Sequence, residues 1–144
     1  MDFQRVAISD LQLYQPRKVS IENLKNRISE LDVKIERLGS TSNDVPVQGG
    51  GNRTEEGLIN GIVERDRLKM SLSIAEDLIN RIDKGLSVLN SDQRKVLHGF
   101  YINRGSMYID KLCDELHCEK STVYRIKDEA LHKFTVAMYG IVDL

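Results

Sequence analysis

A chain of 144 residues is long enough for one ordinary domain, or for a small domain with a helical extension. Its charged residues, 30% of the total, sum to a net charge of only −1, so any attraction to nucleic acid must come from a local patch. With no Trp, 6% aromatics and two prolines, the composition speaks against a β-sandwich or a large pocketed enzyme and for long amphipathic helices.

The opening stretch, "MDFQRVAISDLQLYQPRK", lacks the apolar core of a signal peptide and reads as an N-terminal arm over residues 1–19. No apolar run has the length of a membrane span. Two cysteines make no disulfide framework in a chain of this size, so the expected setting is a reducing cytoplasm.

The first long helix carries Ile21, Leu24, Ile28, Leu31, Ile35 and Leu38 at alternating steps of three and four, with Ser20 as the expected N-cap. Ile at every a position and Leu at every d position is the combination that favours a parallel two-stranded coiled coil. The seam spans only about 27 Å at 1.5 Å per residue, so something else must share its burial. Residues 39–54, "GSTSNDVPVQGGGNRT", then read as a flexible connector. Their glycines are not a phosphate loop, because the Lys-Ser/Thr that should follow is missing and no strand precedes them.

A second helix is expected from about Thr54 to Leu89, with a seam at Leu68, Leu72, Ala75, Ile79, Ile82, Leu86 and Leu89. Gly57, Gly61 and Gly85 each weaken it by roughly 1 kcal/mol relative to Ala. Residues 20–89 are therefore expected to form a helical hairpin or coiled-coil region, with its seam packing within one chain, between copies, or both.

Residues 90–144 change to short helices. Asn90 with Gln93 resembles a capping box. Val96, Leu97, Phe100 and Tyr101 give the first of these helices an apolar stripe. A second, about Met107 to Leu116, offers Ile109, Leu112, Cys113 and Leu116 to the same core. The third begins near Lys120, with Val123, Ile126, Ala130, Leu131 and Phe134 inward.

The stretch "CDELHCEKSTVYRIKDEALHKF", residues 113–134, holds both cysteines and two of the three histidines, so a metal site must be weighed. Zinc sites bring close ligand pairs from loops or a knuckle, and no second close pair exists here. Cys113 and Cys118 fall on apolar positions, where a thiol acts as a small hydrophobe. No metal and no other cofactor is expected. Two helices around a sharp turn explain more residues, with His117 at the turn position that asks for positive φ. On a helical wheel the third helix turns Lys120, Ser121, Thr122, Tyr124 and Arg125 away from the core. Those groups can reach base edges and phosphates, with Arg125 suited to guanine and Lys120 and Lys127 to phosphate.

At this point "LNSDQRKVLHGFYINRGSMYIDKLCDELHCEKSTVYRIKDEALHKF", residues 89–134, resembles the fourth region of bacterial sigma factors. The closer likeness is to the phage-encoded, sigma-like regulators of the ArpU/RinA type in Gram-positive bacteria, whose N-terminal helical part has a similar "PVQGGG"-like connector. The resemblance implies an all-α fold: a long helical hairpin or coiled coil, then a small three-helix domain with a helix-turn-helix. It implies that Lys120, Ser121 and Arg125 touch DNA, with Thr122 and Tyr124 beside them. Glu119 stands where the family often has a Ser or Asp cap, and Tyr124 where a basic residue is common. The heptads occupy the place of a promoter-melting domain, so the likeness is not to a complete sigma factor.

The expected function is therefore a DNA-binding transcription regulator, a phage or prophage late-gene activator in the bacterial host cytoplasm. Its expected partners are double-stranded DNA, a second copy of itself or a higher homo-oligomer, and bacterial RNA polymerase. One rival is a small terminase subunit that packages DNA. Another is a sigma mimic that binds the polymerase without reading DNA. Catalysis is not expected, since the chain has no nucleophile elbow, no HExxH and no demanding carboxylate pair.

Overall fold

The computed structural model describes the backbone of residues 1–41 and 51–144, and the central part of the expected connector, residues 42–50, lies outside the described residues. Every extended element among them is a helix, which makes the chain all-α. In chain order these are α1 (Phe3–Gln12), α2 (Tyr14–Thr41), α3 (Gly51–Ser87), α4 (Ser91–Leu97), α5 (Tyr108–Leu116) and α6 (Lys120–Tyr139). A π-helical turn, His98–Ile102, continues α4. Both edges of the expected connector are helical, since α2 runs to Thr41 and α3 opens at Gly51. The described residues divide into two compact units, one made of residues 1–18 and 77–144 and the other of 19–76.

The N-terminal stretch is helical and belongs to the first unit, where the sequence suggested an arm. The Asp2 carboxylate accepts the Arg5 N–H at 3.2 Å and caps α1. Helix α2 then starts at Tyr14, so Ser20 lies inside it and not at the N-cap position expected from the sequence. Pro16 is tolerated because in a first helical turn its missing N–H has no partner to lose. Ala7, Leu11 and Tyr14 recur at i, i+4 and i+7 and are buried. The buried Asp10 carboxylate accepts from the Tyr139 hydroxyl and from Arg17, the latter at 3.2 Å, tying α1 to α6 and α2. Residues 1–3 also pair with 142–144: Phe3 N–H donates to Val142 C=O at 3.0 Å.

Around this frame the last turns of α3 bury Ile79, Ile82 and Leu86, and α6, which buries Leu131, Phe134 and Thr135, meets α3 at Gly85. Gly85 makes that approach possible: a methyl there would meet the Phe134 ring at 2.8 Å and Met138 sulfur at 3.1 Å. The expected capping box is present, with Asn90 Oδ1 accepting the Gln93 N–H at 2.8 Å and Gln93 Oε1 accepting the Asn90 N–H at 3.0 Å. Val96, Phe100, Leu112 and Val123 then form a core that joins α4, its π-turn, α5 and α6.

In the unit of residues 19–76, α2 and α3 run antiparallel. Ile35 lies beside Gly61 and Leu38 beside Gly57, at 3.3 and 3.5 Å from where a methyl would stand. Arg27 pairs with Glu64 at 3.1 Å, and Arg65 with Asp32 at 3.3 Å. Ile28 is buried, while Ile21, Leu24, Leu31, Ile35 and Leu38 are half-buried. Ile35 and Leu38 of the expected seam thus meet α3 of the same chain.

Candidate nucleic-acid interface

The interface expected from the sequence lies on α6 and is positioned by α5. Helix α5 ends at His117, whose φ of 52° and ψ of 47° place it in the left-handed region. A non-glycine residue pays for that conformation, and His is among the more tolerant side chains. Its N–H returns to Cys113 C=O, so the reversal is closed locally, and α6 restarts two residues later with Glu119 as N-cap. Glu119 makes no side-chain capping bond. Cys113, Leu116 and Cys118 pack against the core of this region. No three His, Cys, Asp or Glu side chains converge as a metal cage among the described residues.

The buried residues of α6 are Val123, Ala130, Leu131, Phe134 and Thr135. Their spacing leaves Lys120, Ser121, Tyr124 and Arg125 exposed on the first turns, with Thr122 half-buried on the flank. Tyr124 is anchored as well as exposed: its ring meets Phe100 edge-on at 5.7 Å. Those five residues share one end of α6.

Lys127 stands apart from them. Its ammonium lies 5.9 Å from the Phe100 and Tyr124 rings and 2.6 Å from Asp128, with a side chain only 20% exposed. The hydrogen bond to Asp128 raises its pKa, against the opposing effect of burial. Lys127 is thereby a bridge between the aromatic cluster and Asp128, a position the wheel alone does not reveal.

Acidic partners of the exposed cations were not foreseen from the sequence. Lys120 Nζ is 3.9 Å from Asp110 on α5, and Arg125 is 3.7 Å from Glu129 on the next turn of α6. Both pairs are largely exposed and are worth about 0–1 kcal/mol each, so they exchange readily for an incoming anion. The Arg125–Glu129 pair was legible from its i, i+4 spacing. The Lys120–Asp110 pair was not, since it depends on how the turn sets α5 against α6.

Residues 37–135, more than two thirds of the chain, match the family described as "Protein of unknown function (DUF1492)". The chain belongs to that family. No curated protein and no solved structure matches it. The matched span takes in α3, α4, α5 and all the buried residues of α6, including the face just described. No helix among the described residues is long and apolar enough to cross a membrane.

Proposed function

We propose that the chain is a sequence-specific, DNA-binding transcription regulator, a phage or prophage late-gene activator that reads the major groove with α6. The observation that supports it most is the α5–turn–α6 arrangement. A left-handed His117 turns the chain between the 9-residue α5 and the 20-residue α6, and Lys120, Ser121, Thr122, Tyr124 and Arg125 project from the start of the second, away from its buried side. In this reading the domain of residues 90–144 is sigma-region-4-like, Arg125 reads a base edge, Lys120 takes phosphate, and no step is catalytic. The protein acts in the bacterial cytoplasm, with two copies placing two recognition helices on successive major-groove faces about 34 Å apart.

The pairing of copies draws on α3. Ile59, Val63, Met70 and Ile74 are 60%, 51%, 68% and 57% exposed. At about 100° per residue they fall in one stripe, opposite the side that meets α2.

The test is selection of bound genomic fragments with wild type and Arg125→Ala at two salt concentrations. Enrichment of a discrete site with related half-sites, lost in the variant, upholds the reading. A second reading, a sigma mimic that grips RNA polymerase without reading DNA, draws support from the acidic partners beside Lys120 and Arg125. It predicts no enrichment and polymerase capture that Arg125→Ala leaves intact.

A further inference from the structure

A solvent-open cleft of about 580 Å³ lies between α4 with its π-turn and α5 with the loop before it. Arg94, Lys95, His98 and Lys111 line it, against the single carboxylate of Glu115. Three permanent cations therefore face one anion in a chain whose net charge is −1. Arg94, Lys95 and His98 stand three, four and seven residues after Ser91, which puts them on one side of α4 and its extension. Val96, Leu97 and Phe100 fill the other side.

The floor is rigid. A methyl on Gly99 would meet Leu112 at 2.9 Å, so the π-turn and α5 touch without room between them. The cations are also less satisfied than those of α6. Among the described residues Lys95 and Lys111 form no ion pair, and Arg94 donates to Leu89 C=O at 2.9 Å. Burial, and after it the charge of Lys18, hold the His98 imidazole below its ordinary value, so the ring adds a neutral N–H near pH 7.

Cations gathered in one cleft repel each other, and an anion relieves them. A carboxylate offers two oxygens, whereas a tetrahedral phosphate serves a guanidinium fork and two ammonium groups together. We infer that this cleft binds a phosphate group, carried either by a DNA backbone or by a free nucleotide. It does so whether or not α6 reads bases.

The experiment uses the full, isotope-labelled chain. Inorganic phosphate is titrated against sodium chloride at matched ionic strength, following the Gly99 and Gly105 amides and the His98 ring. The expected result is a saturable shift with phosphate alone. The Lys95→Gln/Lys111→Gln variant weakens it about tenfold or more, and the paired Lys→Arg variant retains it. Equal shifts with chloride, a shift that never saturates, or Gln variants that match wild type overturn the inference.

The source of the phosphate follows from two further titrations. If a DNA backbone supplies it, the double Gln variant lowers the slope of log K against log salt for random duplex by roughly 0.9 per lost contact. If a nucleotide supplies it, that slope is unchanged while ATP binding is lost. Should wild type bind no DNA at all, the regulator reading fails, and the phosphate titration still decides the cleft.

Discussion

The two units bury their apolar residues in different ways. In residues 1–18 and 77–144, helices approach one another from several directions, and Leu11, Ile82, Val96, Leu97, Val123, Phe134 and Thr135 are sealed off almost completely. In residues 19–76 two helices meet along one line. Most of the heptad side chains there remain half-buried, although their spacing is the most regular in the chain. Two cylinders share a single contact stripe, so water reaches it from both flanks. Regular spacing tells which face of a helix packs; the number of neighbours decides how dry that face becomes.

The largest expected effect tests this directly. Phe134→Ala removes a ring with no solvent exposure and should cost roughly 3–5 kcal/mol in urea unfolding. Leu31→Ala, on the half-buried seam, should cost about 1–2 kcal/mol. Equal losses would mean that the seam is as dry as the core, and the comparison would fail.

The same substitution should have opposite signs in the two units. Gly85→Ala drives a methyl to 2.8 Å from Phe134, an overpacking cost of about 1–3 kcal/mol that exceeds the gain in helix propensity of about 1 kcal/mol. Gly57→Ala meets only Leu38 at an ordinary 3.5 Å and should raise Tm through the same propensity gain. Calorimetry on the two variants sharpens or removes the distinction.

Alkaline pH should act on the first unit. Burial, and after it the hydrogen bond to Asp10, push the Tyr139 hydroxyl from an ordinary 10 up to about 12. Folding thus favours the protonated phenol. Its contribution is complete below pH 10 and is lost as pH rises through about 12. Phenolate absorbance should show Tyr139 ionising near pH 12, beside Tyr14 and Tyr101, which burial also raises, and Asp10→Asn should bring the Tyr139 ionisation to lower pH. An unchanged titration in the variant would separate Tyr139 from Asp10.

Salt should act on the second unit, and weakly. The Arg27–Glu64 pair is half exposed on both sides, so Arg27→Gln should cost less than about 1 kcal/mol, and high salt should erase the difference. A larger, salt-resistant loss would show that these pairs carry the antiparallel contact in place of the seam.

Much of the local structure was legible. The capping box at Asn90 and Gln93, the left-handed His117 and the inward face of α6 all rest on contacts within a few residues, which spacing and side-chain chemistry report. The helix at 3–12 was legible too, in Ala7, Leu11 and Tyr14, but the polar letters around them suggested an arm. Arg94, Lys95 and His98 also share a face that spacing reveals. What they lacked in the sequence was Lys111, brought opposite them only when α5 folds against the π-turn. The surroundings of Lys127 were hidden for a similar reason: a wheel gives its direction, whereas the Phe100 and Tyr124 rings decide what it meets.

By itself, then, the sequence determined an all-helical chain, the caps and turns that punctuate it, and the polar face at the start of α6. Those features arise from periodicity and hydrogen bonds between near neighbours. Only the tertiary structure decided that residues 1–18 close onto 77–144, that Ile35 and Leu38 meet α3, and that cations distant in the chain converge on one cleft. Each of these joins residues sixteen or more positions apart, and their meeting depends on which packed faces exclude the most water.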